Sequence, residues 1–150
     1  MNLVVDVSVF IDSLFVYDEE RSNRTRSLFK LVTEKGLNIF EPQVFGIELA
    51  LQLVRRKPRN IAEKLYNEIM DKVIVIDEID YDLLLNIALS TACRAIDAFY
   101  IATASLVPAI LVSADEIMIN NARKYGVDSY CIHNLADYNA LVSRINRSAL

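Results

Sequence analysis

The sequence predicts an α/β fold in which one parallel β-sheet is covered by helices on both faces. The first observation is that short β-branched runs alternate with longer helical stretches along the 150 residues. The second is that three of these runs, residues 3–5, 73–76 and 109–112, are apolar throughout, which is typical of strands buried on both faces. The third is the lack of repeats and of Pro/Gly/Ser-rich linkers in the sequence, so we expect residues 1–150 to form a single domain.

The first half of the chain is expected to contain three strands and four helices. The strands are predicted over residues 3–5, 37–40 and 73–76. The helices are predicted over residues 8–16, 21–35, 43–56 and 59–71. Gly36 suits the C-terminal cap of the second helix, Pro42 suits the first turn of the third, and Pro58 separates the third from the fourth.

The second half of the chain is expected to add four helices and two strands. The helices are predicted over residues 81–92, 95–106, 115–125 and 136–147. Asp80 is a candidate N-cap for the first of these, and Gly126 ends the third. Strands over residues 109–112 and 127–132 complete a five-stranded sheet. In parallel sheets, functional sites form at the carboxyl ends of the strands.

Composition excludes several classes of function. Two cysteines outside any Cys-x-x-Cys pair and a single histidine, His133, exclude a disulfide scaffold and a His-based zinc site. Buried thiols are the simpler explanation of the cysteines. The net charge of -4 argues against strong non-specific attraction to nucleic acid. Basic residues nevertheless concentrate within residues 21–35 and 55–64, as solvated helix faces or as arms that contact phosphates.

The apolar segments do not favour a membrane protein. Residues 2–10 lack a basic leader and are interrupted by Asp6, so they do not resemble a signal peptide. The run over residues 95–114 is long enough to span a bilayer, but Asp97 and Pro108 interrupt it. We therefore expect a cytoplasmic protein with no membrane partner. The hydrophobic content of 53% indicates a protein partner or a homodimer.

Asp97 is the most informative residue, because it is the only charged residue between positions 95 and 114. A carboxylate in such apolar surroundings costs several kcal/mol unless it is paired or bound to a metal. Arg94 lies one helical turn earlier, so a structural ion pair between the two side chains is one explanation. A functional site is the other.

Three further acidic residues are predicted to lie near that carboxylate. Asp6 and Asp115 follow the first and fourth strands, which places both at the same edge of the sheet. Ser8 and Ser113 stand beside them and can hold a carboxylate or a metal-bound water. Glu48 lies in the middle of a helix among apolar neighbours. Alternatively, Ser8 or Asp115 caps a helix, and Glu48 is an exposed residue on a polar stripe.

A cluster of carboxylates predicts a site for Mg²⁺ or Mn²⁺, because hard cations prefer oxygen ligands. The carboxylates would repel one another unless a cation neutralised them or some stayed protonated. Divalent ions in such a site can activate a water, orient a phosphodiester and stabilise the leaving oxygen. This chemistry needs no histidine, cysteine or lysine nucleophile.

Four blocks of the sequence together resemble the PIN-domain nucleases, in particular the toxins of VapBC-type toxin–antitoxin pairs. The blocks are Val4-Val5-Asp6-Val7-Ser8, Glu41-Pro42 ahead of Glu48, residues 94–104, and Leu111-Val112-Ser113-Ala114-Asp115. The resemblance implies a three-layer α/β/α sandwich with the strand order 3-2-1-4-5. It also implies cleavage of single-stranded RNA and an antitoxin partner.

The resemblance further implies specific roles for individual residues. It makes four acidic residues both catalytic and metal-binding: Asp6, Glu48, Asp97 and Asp115. Ser8, Ser113 and Arg94 take supporting positions, and Tyr100 is expected to pack in the core. A non-catalytic PIN-like module that binds RNA or protein remains the alternative function.

Overall fold

The computed structural model describes residues 1–148, which form five strands and eight helices. The strands are β1 (Asn2–Val5), β2 (Asn38–Pro42), β3 (Ile74–Ile76), β4 (Ala109–Ser113) and β5 (Ser129–Cys131). The helices are α1 (Val7–Leu14), α2 (Glu19–Lys35), α3 (Gln43–Val54), α4 (Arg59–Met70), α5 (Tyr81–Thr91), α6 (Ala95–Leu106), α7 (Glu116–Lys124) and α8 (Leu135–Ser148). Every predicted element is present, and its boundaries lie within two residues of the prediction.

The five strands form one parallel sheet in the order β3-β2-β1-β4-β5, flanked by the helices. This confirms the predicted α/β/α fold class and strand order. β1 occupies the centre, where Asn2 pairs with both Asn38 of β2 and Ala109 of β4. Its residues Leu3, Val4 and Val5 are completely buried. Burial on both faces explains why this strand is continuously apolar.

Helix ends follow the predicted capping residues in two cases. Gly36 adopts a left-handed conformation with φ of 62° and ends α2, since glycine has no Cβ to clash there. The Asp80 side chain accepts a hydrogen bond from the amide of Asp82 and caps α5. Three predicted elements were too long by two residues at one end. α1 ends at Leu14, so Phe15 and the next residues lie in a loop. α3 ends at Val54, and β5 begins at Ser129.

A sharp turn joins α5 to α6. Ala92 ends α5 in a left-handed conformation with φ of 55°, and the Thr91 hydroxyl accepts a hydrogen bond from the amide of Cys93. Arg94 then occupies the N-cap position of α6. Within residues 1–148, no single helix has the length and apolar character to cross a membrane. The pair α5 and α6 has both, and is bent by 113° at this turn.

Candidate active site

One cleft at the carboxyl ends of β1 and β4 collects most of the predicted site residues. Its volume is about 320 Å³. Six of the predicted residues line it: Asp6, Ser8, Glu48, Arg94, Asp97 and Asp115. The seventh, Ser113, is fully buried and reaches the cleft through its hydrogen bond to Asp6. The topology therefore brings together acidic residues that are widely separated in the sequence.

Asp6 follows β1 directly and is held by two serines. The hydroxyls of Ser8 and Ser113 each donate to its Oδ2 atom at 2.8 Å. Only 7% of Asp6 is exposed, and this burial raises the pKa of its carboxyl despite the two hydrogen bonds. Since Ser8 binds Asp6, the alternative that Ser8 caps α1 is wrong.

The same serines connect the ends of β1 and β4. The Ser8 hydroxyl accepts a hydrogen bond from the amide of Ala114 at 3.2 Å. The Ser113 hydroxyl accepts one from the amide of Asp115 at 2.9 Å. Both serines therefore donate to Asp6, and both accept from amides of the segment that carries Asp115. This arrangement sets the separation between Asp6 and Asp115.

Arg94 bridges two of the acidic residues. Its guanidinium donates two hydrogen bonds to Asp97, at 3.0 and 3.1 Å, and a further one to Asp115. Asp97 is fully buried, whereas the Arg94 side chain is half exposed. The predicted ion pair between Arg94 and Asp97 is confirmed, and the contact with Asp115 extends it. These bonds raise the pKa of Arg94 further above its ordinary value.

Asp115 serves as a helix cap as well as a site residue. Its Oδ1 accepts a hydrogen bond from the amide of Ile117 at 2.9 Å, at the start of α7. The predicted capping role is therefore confirmed, while Oδ2 faces Arg94. Partial burial acts to raise the pKa of this carboxyl, but the hydrogen bonds from Arg94 and Ile117 outweigh it and lower the pKa.

Glu48 points into the cleft from α3 and is half buried, so the alternative of an exposed polar-stripe residue is wrong. Its Oε1 accepts a hydrogen bond of 2.6 Å from the Tyr100 hydroxyl. Burial raises the pKa of Glu48, and the nearby charges of Asp6 and Asp97 add to that effect. The expected core position of Tyr100 is confirmed, since the residue is fully buried.

Glu41 is an acidic neighbour that sequence reasoning did not place in the site. It lies near the end of β2, is fully buried, and accepts a hydrogen bond from the Val5 amide at 2.9 Å. Its second oxygen, Oε2, is buried without a hydrogen-bond partner. Burial raises the pKa of Glu41 well above its ordinary value, with contributions from Asp6 and Glu48. A fully buried carboxyl with a raised pKa therefore lies close to Asp6 and Glu48.

The donor chemistry of this cleft fits a divalent cation. Its acidic side chains offer oxygen ligands only, and Arg94 is the one cation that contacts two of them within residues 1–148. Burial is the main cause of the raised pKa values of Asp6 and Glu48, and nearby negative charge, which a bound cation would neutralise, adds to it. In the described chain, no three acidic, histidine or cysteine side chains converge closely enough to hold an ion. Binding would require them to rotate from their present hydrogen bonds.

Most of the basic residues in the two predicted clusters are solvated and lie outside the cleft. Arg59 and Lys30 form exposed i,i+4 ion pairs with Glu63 and Glu34. Arg56 is different, because its side chain lines the acidic cleft. The solvated-face interpretation therefore holds for Arg59 and Lys30, and Arg56 is a candidate for contact with phosphate.

The chain belongs to the PIN domain family, which matches residues 3–124. That span includes all four acidic residues of the candidate site and all strands except β5. No curated protein matches the chain.

Several solved structures share the fold. The crystal structure of PAE2754 from Pyrobaculum aerophilum is 16% identical, with a TM-score of 0.63 over 98% of this chain and 96% of that one. FitAcB from Neisseria gonorrhoeae is 16% identical, with a TM-score of 0.65 over 89% of this chain and 99% of that one. VapBC2 from Rickettsia felis, bound to a promoter DNA fragment, is 12% identical, with a TM-score of 0.67 over 86% of this chain and 97% of that one. At these identities, the likeness shows the fold.

Proposed function

We propose that this PIN-domain protein is a metal-dependent endoribonuclease that cleaves single-stranded RNA in the cytoplasm. The observation that carries the proposal is the meeting of four acidic side chains in one cleft at the carboxyl edge of the sheet. Charged and polar side chains make up most of the lining of the cleft, as binding of a phosphodiester backbone requires. Membership of the PIN domain family supports nuclease chemistry in particular.

The chain's own residues would prepare the site before any RNA binds. Two serines orient Asp6, the Tyr100 hydroxyl orients Glu48, and Arg94 balances the charge of Asp97. Mg²⁺ or Mn²⁺ held by these carboxylates would supply an activated water and stabilise the leaving oxygen. The hydrogen bonds keep the carboxylates at the cleft, and a cation would draw them out of these bonds when it binds.

The decisive experiment is cleavage of a labelled single-stranded RNA with Mn²⁺ or Mg²⁺, compared with the same mixture containing EDTA. We expect cleavage only with the metal, and we expect Asp6→Asn to abolish it. The variant should remain folded, because an asparagine oxygen can still accept from Ser8 and Ser113. Asp71→Asn, which changes an exposed residue at the end of α4, is the matched control and should cleave normally. Undiminished cleavage by folded Asp6→Asn protein would refute the assigned role.

The alternative function is a non-catalytic module that binds RNA or protein. One observation favours it: Arg94 already neutralises Asp97 and Asp115, and no three candidate ligands within residues 1–148 converge on a point. Thermal unfolding with Mn²⁺ separates the two functions, because an ion that binds only the folded protein raises the melting temperature. A melting temperature that does not change in millimolar Mn²⁺ would favour the binding module.

We further propose that the protein is the toxin of a toxin–antitoxin pair and forms a homodimer. Similar folds occur in FitAB bound to a DNA fragment and in VapBC-1 from Haemophilus influenzae, which supports an antitoxin partner. Two helices carry exposed apolar residues at helical spacing, which a partner subunit could bury. They are Ile47, Leu51 and Val54 on α3, and Tyr81, Leu85 and Leu89 on α5. Light scattering of the purified protein would test the dimer.

A further inference from the structure

The loop after α1 and the end of α3 form an aromatic, cationic edge on the acidic cleft. Arg56 lines the cleft together with Asp6 and Glu48. Its guanidinium carbon lies 5.7 Å from the ring centroids of both Phe15 and Tyr17. At that distance a cation is attracted to the face of an aromatic ring. The site therefore has a flat, positively charged neighbour beside its carboxylates.

Hydrogen bonds hold the Arg56 side chain in this position. Its Nε donates to the Tyr17 hydroxyl at 3.1 Å. Its Nη1 donates to the Gln52 carbonyl at 2.9 Å and to the Gln52 side-chain oxygen at 2.7 Å. The guanidinium is thus oriented before a ligand arrives, which reduces the entropy lost on binding.

Within the described part of the chain, no carboxylate forms an ion pair with Arg56. Five other arginines in residues 1–148 form ion pairs with carboxylates: Arg24, Arg59, Arg94, Arg123 and Arg144. Arg56 forms none there, although it borders an acidic cleft. A second shallow cleft shares Asp115 with the first and is lined by Arg21. A polyanionic strand crossing the acidic residues would therefore meet basic side chains in both clefts.

Tyr17 offers a surface suited to a nucleic-acid base. The residue is 71% exposed, which is high for a large aromatic side chain next to a cleft. Arg56 lies over its ring and the centre of the Phe15 ring is 6.5 Å away, yet most of the residue is open to solvent. Single-stranded nucleic acids bind by stacking unpaired bases on such rings while arginines contact the backbone.

We propose that Tyr17 and Arg56 form a nucleotide-binding subsite for single-stranded RNA at the edge of the acidic cleft. A base next to the cleavage position stacks on the Tyr17 ring, and the adjoining phosphate contacts Arg56. The subsite rests on the proposed ribonuclease function. It places the RNA strand so that the next phosphodiester lies over the carboxylates.

The test measures binding separately from cleavage. A fluorescein-labelled single-stranded RNA 12-mer is titrated with the full chain in EDTA, and its anisotropy gives the dissociation constant. We expect Tyr17→Ala to weaken binding about tenfold or more, and Tyr17→Trp to retain it, because stacking needs only a ring. Arg56→Gln should weaken binding and reduce the salt dependence by about one phosphate contact, while Arg56→Lys keeps that dependence.

Two surface substitutions serve as matched controls. Leu135 at the start of α8 is 62% exposed and lies outside the cleft, so Leu135→Ala should bind RNA like the unmodified protein. Arg59→Gln removes a nearby charge that is already paired with Glu63, and should leave the salt dependence of binding unchanged. These variants separate a subsite from a general effect of surface charge.

Cleavage by the unmodified protein in Mn²⁺ separates this inference from the proposed function. If that protein cleaves RNA and Tyr17→Ala and Arg56→Gln bind as tightly as it does, the subsite is refuted and the ribonuclease function stands. If that protein neither binds nor cleaves RNA, both are refuted. The subsite is supported if Tyr17→Ala and Arg56→Gln lose affinity for RNA and the control variants do not. In cleavage, the same two variants should show a larger rise in KM than fall in kcat.

Discussion

Arg94 forms ion pairs with two of the four acidic residues of the site. It balances the charge of Asp97, which is fully buried, and at the same time contacts Asp115. A buried carboxylate without a partner is strongly destabilising, so the arginine lets the metal-free protein tolerate this charge. The same guanidinium occupies the space between two candidate metal ligands. Arg94 and a bound cation should therefore compete.

We expect Arg94→Ala to lower the unfolding free energy of the metal-free protein by about 2 kcal/mol. Breaking a fully buried pair costs about 3–5 kcal/mol, and the half-exposed position of Arg94 reduces that figure. Mn²⁺ should then raise the melting temperature of the variant by more degrees than that of the unmodified protein. Differential scanning fluorimetry with and without Mn²⁺ measures both effects.

The control for that substitution is Arg123→Ala, which breaks an ion pair with Asp137 outside the cleft. It should lower stability without altering the shift caused by Mn²⁺. An equal Mn²⁺ shift in Arg94→Ala and the unmodified protein would show that the guanidinium does not compete with the ion.

Sites in parallel sheets form at the carboxyl ends of the strands, and this rule selected two acidic residues of the site but not Glu41. Asp6 directly follows the first predicted strand, Asp115 lies shortly after the fourth, and both line the cleft. Glu41 directly follows the second predicted strand, which ends at Phe40, so the rule applied to Glu41 as well but it was not selected. β2 in fact continues to Pro42 because Glu41 and Pro42 pair with Val75 and Ile76 of β3. That pairing between distant segments is not visible in local periodicity.

At the scale of elements, the α5–α6 turn determines where Arg94 and Asp97 lie. Ala92 ends α5 with a φ of 55°, a conformation that costs a residue with a Cβ roughly 1–2 kcal/mol. Two residues later the chain enters α6, whose first turn carries Asp97. A strained residue therefore lies in the turn that leads into α6, the helix that carries Asp97.

Ala92→Gly is expected to stabilise the protein by about 0.5–1 kcal/mol. Glycine removes the strain of the left-handed conformation, although its greater freedom in the unfolded chain offsets part of the gain. Chemical denaturation measures the difference. Ala88→Gly, within the regular part of α5, is the control and should instead destabilise the protein by about 1 kcal/mol. Destabilisation by Ala92→Gly would contradict the strain argument.

The order of strands and helices was predictable because buried parallel strands and their helices leave distinct apolar patterns. The ends of the elements were less predictable. The apolar residues Phe15 and Val16 extended the predicted first helix, whereas the chain leaves α1 at Leu14. The loop that follows lets Phe15 and Tyr17 pack around Arg56, which comes from a different part of the sequence. Such tertiary contacts determine the cleft edge.

At the scale of the whole molecule, buried carboxyls make stability depend on pH. Burial raises the pKa of Glu41, Asp6 and Glu48 in the folded protein. The unfolded chain therefore releases these protons at lower pH than the folded protein does. Their contribution to stability is fully present below the unfolded pKa, and it is lost as pH rises through the folded pKa.

Glu41→Gln should remove one part of this dependence, because glutamine cannot ionise. Above pH 4.5, the ordinary pKa of this carboxyl, the unfolding free energy of the variant in EDTA should rise relative to that of the unmodified protein as pH increases. The gain should be up to about 1.4 kcal/mol per pH unit while Glu41 is protonated only in the folded state. Denaturation curves at several pH values measure it. Glu63→Gln, an exposed control on α4, should parallel the unmodified protein, and parallel curves for Glu41→Gln would refute the burial effect.

The central position of β1 has a consequence for synthesis of the protein. Asn2 pairs with Ala109, which is made much later in the chain, and Asp6 meets Ser113 only once β4 exists. At translation rates of about 5–20 residues per second, the first strand waits roughly 5–20 s for that neighbour. A nascent chain on the ribosome therefore cannot assemble the acidic cleft until β4 and Asp115 have been made.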